Sequence, residues 1–317
     1  MRIARLALAP LACAVALYAA PVAAADKAPA KPAYTSAQDL LDAAPASAWR
    51  ELDPENTLYL ELPSGRVVIE LAPQFAPQHV ANIRALAHAH YFDGLSINRS
   101  QDNFVVQWGD PQAGEKDARP LDPAQPHVPA EFSRKAAGLA FHRLKDTDGY
   151  AKETGFVDGF PSARDGANGQ SWLAHCYGVL GAGRDMAPDS STGAELYVVT
   201  GQSPRQLDLN ITTVGRVVKG MELLSVIPRG TGPLGFYEKP EQRVPIKAIR
   251  LVADVPQAER TPLQVIRTDT PLWDAVVEAR RNRRDTWYLR PAGHIDLCNI
   301  PVATRDPTAP PKPPAKP

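Results

Sequence analysis

Short apolar segments alternate with polar turns along the middle of the chain, at a spacing typical of β-strands. Residues 58–62 and 67–71 alternate apolar and polar positions around a Pro-Ser-Gly-Arg turn, so they predict a hairpin. One helix is predicted from Pro77 to about residue 89, and a short one over residues 220–227. This pattern predicts a mainly β protein, a closed antiparallel barrel with a helix at each end. The other predicted strands are residues 97–100, 104–108, 179–183, 196–200, 212–218 and 246–252.

Two parts of the chain do not fit a compact barrel. Residues 112–174 are polar and contain few strand-like segments, and a stretch of this length is expected to be a functional or ordered insertion. Residues 254–306 form a C-terminal extension that is partly helical. Its helix is predicted from Thr270 as the cap, Pro271 at the first position and the pattern of residues 272–281.

The ends of the mature chain are expected to lie outside the folded domain, which should span residues 57–253. Residues 26–56 are rich in Ala, Pro and Lys and predict a mobile leader or linker with one short helix near residues 37–43. Residues 307–317 are rich in Pro and Lys, and they predict an extended, disordered tail.

Residues 1–25 have the layout of an export signal. Arg2 and Arg5 precede an apolar stretch over residues 6–22, and three alanines before Asp26 form a small-residue cleavage site. The apolar stretch contains two prolines and is short for a membrane span. We therefore expect a cleaved signal peptide, a periplasmic mature protein and no stable membrane insertion after cleavage. An uncleaved anchor is the alternative.

The charge and the cysteine content limit which partners and which cellular compartment are expected for this chain. The chain has 35 basic and 35 acidic residues, so no overall field favours nucleic acid, and no nucleic-acid partner is expected. Of the three cysteines, Cys13 leaves with the signal, and Cys176 and Cys298 remain. In an oxidising compartment these two form a possible disulfide, and two separate buried thiols are the alternative.

Residues 91–111, YFDGLSINRSQDNFVVQWGDP, carry the most specific pattern in the chain. An aromatic-Phe-Asp-Gly turn leads to a strand with Arg99, and a second apolar strand carries Phe104, Val105 and Gln107. The segment resembles the central signature of the cyclophilins, Y-[FY]-[DN]-G-x-x-F-H-R-x-x-x-x-F-x-x-Q-G-G-D-P. This resemblance implies a cyclophilin-like closed barrel of eight antiparallel strands capped by two helices.

The resemblance also implies a role for each matched residue. Cyclophilins are peptidyl-prolyl cis-trans isomerases, in which Arg99 would be the catalytic arginine and Gln107 the glutamine that binds the substrate amide. Phe104 and Val105 would line the proline pocket. Rotation about an X-Pro bond needs no nucleophile, proton shuttle or metal, so we expect no cofactor and no metal site.

Downstream segments continue the resemblance, which covers about residues 57–252 without most of the insertion. On this alignment Gly183 and Arg184 contact the substrate backbone. Tyr197 takes the place of the pocket phenylalanine, and Leu207 falls on the pocket leucine.

Other catalytic patterns find no support in the sequence. Gly178, Gly181 and Gly183 do not form a dinucleotide-binding array. His88 and His90 have no third ligand at a metal-binding spacing, and no nucleophile-elbow pattern supports a hydrolase.

Several positions near Arg99 depart from the signature: Asn98 replaces a histidine, Trp108 a glycine, and Gln206 stands where many members have tryptophan. Two hypotheses therefore remain open. The first is an isomerase that acts on X-Pro bonds in proline-containing segments of exported proteins. The alternative is a catalytically weak or inactive peptide-binding or chaperone module of the cell envelope, which a pocket filled by Trp108 would favour. A third hypothesis is an interaction protein that binds through its insertion and tail.

Overall fold

The fold is seen in a computed structural model, which describes residues 35–285 and 287–309. The expected signal peptide, residues 26–34 of the leader and residues 310–317 of the tail lie outside the described residues. In the described part no helix is long and apolar enough to cross a membrane. The described α-helices are α1 (Ala37–Asp42), α2 (Pro77–His88), α3 (Met221–Ser225) and α4 (Pro271–Arg281). The described strands are β1 (Trp49–Glu51), β2 (Thr57–Leu62), β3 (Gly65–Leu71), β4 (Ser96–Ser100), β5 (Val105–Gly109), β6 (Arg134–Lys135), β7 (Phe141–Arg143), β8 (Glu153–Val157), β9 (Phe160–Arg164), β10 (Gln170–Leu173), β11 (Val179–Ala182), β12 (Leu196–Val199), β13 (Thr213–Lys219), β14 (Val244–Pro245), β15 (Ala248–Leu251), β16 (Gln264–Ile266) and β17 (Thr304–Arg305).

The largest sheet has nine antiparallel strands in the order β14-β4-β5-β12-β11-β13-β3-β2-β15. Its two edge strands, β14 and β15, are separated by only Ile246 and Lys247. The amide of Ile246 donates to the carbonyl oxygen of Leu95, near one edge of the sheet, at 2.8 Å. The amide of Lys247 donates to the carbonyl oxygen of Glu61, near the other edge, at 2.9 Å. The chain itself therefore links the two edges, and the sheet curls into the expected barrel. Eight strands were predicted, and the ninth is the two-residue strand β14, which directly precedes the last predicted one.

The barrel core is the apolar interior of this sheet, and its side chains come from residues 58–251. In the β2-β3 hairpin, Leu60 and Ile69 belong to the barrel core. Their neighbours Tyr59 and Val68 point to the opposite face, as alternation along a strand requires. That face is also buried, because apolar residues of the C-terminal extension cover it.

Helix α2 follows the hairpin, and the insertion completes its N-terminus. Pro77 occupies the first turn, as predicted, but the cap residue provides no side-chain hydrogen bond. Instead, the carboxylate of Glu131 accepts hydrogen bonds from the amides of Gln78, at 3.0 Å, and His79, at 2.9 Å. The predicted helix is thereby confirmed. The second predicted helix, α3, is confirmed with five residues instead of eight.

Residues 112–174 contain a second antiparallel sheet, with five strands in the order β6-β10-β9-β8-β7. The expectation of few strands in this region is wrong. These strands are two to five residues long, too short for an alternating pattern to stand out. A clearer signal was the Asp158-Gly159 pair between β8 and β9, where both residues have positive φ, 48° and 83°. Asp-Gly is a typical two-residue hairpin turn.

The leader and the C-terminal extension fold together. Strand β1 pairs with β16, which pairs with β17, and Trp49 lies opposite Ile266. The short helix predicted near residues 37–43 is confirmed as α1. The linker prediction is otherwise wrong from residue 35 onward, because the strand partners of this Ala- and Pro-rich segment lie more than 200 residues away in sequence. The predicted helix of the extension is confirmed as α4, in which the hydroxyl of Thr270 accepts from the amide of Trp273 at 3.2 Å.

A second core joins the leader, the insertion and the extension. It contains Trp49 from the leader, Phe156 from the insertion and Trp273 from the extension. The rings of Phe156 and Trp273 meet edge to face, with their centroids 5.1 Å apart. Cys176 also lies in this core, and a disulfide joins it to Cys298, which packs against the core, across a sequence separation of 122. Of the two alternatives for the cysteines, the structure has the disulfide.

Candidate functional site

The eight site residues named from the sequence all line one cavity of about 350 Å³ on the outer side of the barrel. The sequence-based prediction thus identified residues that the fold brings together. The predicted lining residues are Arg99, Phe104, Val105, Gln107, Gly183, Arg184, Tyr197 and Leu207, and the additional ones are Asp185, Glu195, Ile211, Leu234 and Phe236.

Strand β5 separates the residues of the cavity from those of the barrel core. Val105 and Gln107 line the cavity, while Val106 and Trp108 point into the barrel core. Trp108 is fully buried there. Its indole therefore does not fill the cavity, and the core accommodates the bulky side chain that replaces a signature glycine.

A β-bulge directs Arg99 towards Gln107. In the pairing of β4 with β5, Ile97 lies opposite Trp108 and Arg99 lies opposite Gln107, so Asn98 is the extra residue. Bulges of this kind re-aim a side chain and are common next to active sites. The arginine and the glutamine thus face the same cavity as direct cross-strand partners.

Three acceptors hold the guanidinium of Arg99. Its Nη1 donates to Oε1 of Gln107 at 2.8 Å, and its Nε donates to the carbonyl oxygen of Leu234 at 2.8 Å. Its Nη2 donates to Oε1 of Gln101. Because these bonds fix both ends of the guanidinium fork, its orientation is set before a substrate arrives.

Two aromatic rings flank the same guanidinium. The carbon at its centre lies 5.5 Å from the ring centroid of Phe104 and 5.3 Å from that of Phe236. Burial lowers the pKa of Arg99, and the charge of Glu195 opposes this effect. An arginine nevertheless stays charged at neutral pH. The site therefore holds a cation between apolar walls.

Glu195 lies beside the glutamine. Its Oε1 accepts a hydrogen bond from Nε2 of Gln107. Burial is the main cause that raises the pKa of this carboxyl, and the charge of Asp185 adds to it. A Cβ atom at Gly109 or Gly183 would lie about 3.1–3.2 Å from the side chain of Glu195, so both glycines leave the space that it occupies.

The apolar wall of the cavity consists of five side chains. Tyr197 lies opposite Gln107 on β12, and a Cβ atom at Gly181 would overlap its ring. The glycine thus lets the tyrosine lie flat against the sheet. The other four wall residues are Phe104, Val105, Leu207 and Ile211.

Hydrogen bonds to two backbone carbonyl oxygens fix the side chain of Arg184. Its Nε donates to the carbonyl oxygen of Asn210 at 2.8 Å, and its Nη1 donates to that of Asp185 at 2.6 Å. Gly183 donates its amide to the carbonyl oxygen of Glu195 at 2.8 Å. These two residues form the rim of the cavity.

Two contributors to the site, Leu234 and Phe236, were missed by the sequence-based prediction. Both belong to the loop between α3 and β14, and Phe236 forms a backbone bridge with Arg99. They are exposed by 67% and 38%, so neither stands out as a core residue. The available signal was a Gly-Pro-Leu-Gly-Phe turn sequence at residues 232–236.

Comparison with known proteins gives the same family as the geometry. The family model described as "Cyclophilin type peptidyl-prolyl cis-trans isomerase/CLD" matches residues 57–251. A protein from Brucella suis named "Probable peptidyl-prolyl cis-trans isomerase" is 28% identical over 187 residues, which cover 56% of this chain and 74% of that protein.

A solved structure is similar as well. The crystal structure of cyclophilin AquaCyp293 from Hirschia baltica matches with a TM-score of 0.65 and 26% identity, covering 81% of this chain and 92% of the other. The match to the family model covers more than half of the chain. This chain therefore belongs to the family of cyclophilin-type peptidyl-prolyl cis-trans isomerases.

Proposed function

We propose that this isomerase rotates X-Pro bonds in exported proteins by binding the twisted amide, without a covalent intermediate. The barrier to this rotation is about 18–20 kcal/mol and comes from amide resonance. At the top of the barrier the prolyl nitrogen is pyramidal and basic. A site that binds this form better than either planar form lowers the barrier.

In this mechanism Arg99 donates a hydrogen bond to the prolyl nitrogen. Gln107 orients the guanidinium, through the 2.8 Å bond between them, and positions the substrate backbone. A donor that is fixed in advance stabilises a developing charge without reorganisation at the moment of reaction. The proposal rests above all on this observation: the oriented guanidinium lies in one cavity with a wall of apolar side chains.

The proline ring would lie against that wall. Phe104, Val105, Tyr197 and Leu207 offer apolar surface on the side of the cavity next to Arg99. Gly183 and Arg184 at the rim would contact the flanking backbone. Burial of the ring provides a hydrophobic contribution that does not depend on the residue before proline.

The choice of exported clients is supported by two features. Residues 1–25 have the sequence of an export signal, which favours a periplasmic location. The Cys176–Cys298 disulfide is typical of an oxidising compartment. A fractionation experiment with the full-length chain tests this part, and retention in the cytoplasm would contradict it.

The catalytic role is tested with Arg99→Ala in a proline-peptide isomerisation assay. Loss of the fixed donor should lower kcat/KM roughly 100–1,000-fold, the usual cost of removing one such donor. Arg84→Ala is the matched control, because Arg84 is half-exposed on α2 and does not line the cavity. Equal rates for wild type and Arg99→Ala would contradict the proposed mechanism.

One observation favours the alternative of a peptide-binding module. Gln107 already donates to Glu195, and Arg99 already donates to three protein acceptors, so a substrate can use only the remaining N–H groups of these two side chains. Calorimetry with the same proline peptide separates the two functions. Binding that survives while wild type and Arg99→Ala both isomerise at the background rate would establish the binding module.

A further inference from the structure

The residue that directly follows the insertion contacts the wall of the proline pocket. His175 follows β10, and its side chain is only 1% exposed. Its Nε2 lies 3.0 Å from the hydroxyl of Tyr197, and its Nδ1 lies 2.9 Å from Oδ1 of Asp208. The imidazole therefore connects the aromatic wall of the cavity to a buried carboxylate.

The chemistry of these groups sets the direction of both hydrogen bonds. The carboxylate of Asp208 can only accept, so Nδ1 of the imidazole carries a proton, and Nε2 is the acceptor for the hydroxyl of Tyr197. Burial raises the pKa of the Tyr197 hydroxyl, which therefore keeps its proton at neutral pH and donates it. A buried phenol needs such a partner, and His175 supplies it.

Asp208 holds the turn that carries Leu207. Besides the imidazole, it accepts from the amide of His175 at 3.0 Å, from Nε1 of Trp172 at 3.1 Å and from Nε of Arg205 at 2.6 Å. Burial alone would raise the pKa of Asp208, but the bonds from His175 and the charge of Arg205 lower it. A charged acceptor with four donors fixes the short 3₁₀ turn Arg205–Leu207 against the insertion.

The insertion holds the same turn from a second side. Arg205 is buried, and its Nη1 donates to Asp148 of the insertion at 3.0 Å. Its guanidinium also lies 5.0 Å from the ring centroid of Tyr150. Two separate parts of the insertion, at Asp148 and at Trp172, thus hydrogen-bond to residues on either side of Leu207.

We propose that His175 and Asp208 are positioning residues of the isomerase, which hold Tyr197 and Leu207 in place as walls of the proline pocket. This inference rests on the proposed function of that pocket. It also assigns a role to the insertion, which supports the active site without contacting the substrate.

The test compares His175→Asn, Tyr197→Phe and the double variant in the isomerisation assay. Asparagine keeps the donor to Asp208 but does not reach Tyr197, so His175→Asn should raise KM about tenfold, the factor expected for one lost hydrogen bond. The value of kcat should stay within about twofold, because Arg99 is untouched. In the Tyr197→Phe background the same change should raise KM less than about twofold, since the partner is already gone.

The matched control is His142→Asn. His142 is likewise a histidine paired with an aspartate, Asp274, at 2.8 Å, but it lies within the insertion and does not line the cavity. Its replacement should leave KM unchanged. A histidine that matters only for folding would lower the melting temperature in both backgrounds and leave KM unchanged, which would overturn the inference.

Failure of the inference and failure of the proposed function give different results. If the wild type is active and His175→Asn has the same KM, the inference alone is wrong. If the wild type neither isomerises the peptide nor binds it in a calorimeter, both the proposed function and the inference are wrong. If His175→Asn does not fold, Tyr197→Phe is used instead, because it keeps the aromatic ring and removes only the hydroxyl that bonds to His175. An unchanged KM in Tyr197→Phe would then overturn the inference.

Discussion

The barrel core and the second core are assembled from contacts at very different distances along the chain. The barrel core begins with a hairpin over residues 57–71, whose strands are adjacent in sequence. In the second core, Trp49 lies opposite Ile266, and Phe156 packs on Trp273. Local patterns therefore predicted the barrel, while in the second core they predicted helices but not the contacts between them and the rest of the core. A long-range core of this kind becomes visible only in three dimensions.

Charged side chains join the two regions at a buried junction. Glu70 of the barrel accepts from Arg216 of the barrel at 3.1 Å and from Arg50 of the leader at 2.6 Å. Arg50 also contacts Asp158 of the insertion at 2.9 Å. Because buried charges need all their partners, the junction makes the relative placement of the two regions specific.

If the second core contributes stability but not chemistry, Trp273→Ala should give the greatest change in stability. Removing this fully buried indole should lower the free energy of unfolding by about 3–5 kcal/mol. Well below the melting temperature, kcat/KM should stay within about threefold of wild type. Chemical denaturation and the isomerisation assay check the two parts.

The control for Trp273→Ala is Trp287→Ala, which removes the same side chain from a position that is 79% exposed. Its free energy of unfolding should change by no more than about 0.5 kcal/mol. A loss of activity in Trp273→Ala as large as its loss of stability would mean that the two cores form one functional unit.

Loss of the disulfide should cost somewhat less stability than loss of the indole. Cys176→Ser with Cys298→Ser should lower the free energy of unfolding by about 2–4 kcal/mol, because the bond closes a long loop across the second core. His175 keeps its bonds to Asp208, so KM for the proline peptide should not change. Denaturation with and without reductant measures the effect, since only the wild type should respond to reductant. Two free thiols in mass spectrometry of the exported protein would contradict the pairing.

On the barrel side a still smaller change is expected for Glu195→Gln, which tests the electrostatics of the cavity. Burial raises the pKa of Glu195 in the folded protein, so its charged form costs stability. That cost is absent below the ordinary glutamate pKa of about 4.3 and complete once the pH exceeds the raised value. Glu195→Gln should therefore be more stable than wild type at pH 7, with a difference that disappears towards about pH 4. Melting temperatures across this range check the sign, and a difference that grows as the pH falls would contradict it.

The candidate site was largely predictable because its main residues lie in one short segment. Arg99, Phe104 and Gln107 stand at fixed offsets in neighbouring strands, so a sequence pattern captures their geometry. Leu234 and Phe236 escaped because they come from a loop more than 120 residues later, and only the backbone bridge to Arg99 reveals their role.

The errors in the fold have the same cause. The insertion looked like a polar loop because its strands are short and their apolar side chains pack on distant residues of the barrel and the extension. The leader looked like a linker because its strand pairs with residues near the end of the chain. Hydrophobic periodicity reports on a segment and its immediate neighbours, and it carries little information about distant partners.

Local sequence was enough to specify the barrel, its two capping helices, the helix of the extension and the residues that line the cavity. Alternation of side chains, helix caps and the signature spacing are all properties of a few consecutive residues. The folded chain was needed to show that Trp108 turns into the barrel core, that the cysteines meet, and that His175 backs the pocket wall. These outcomes depend on which distant surfaces bury one another, and burial is a property of the whole folded chain.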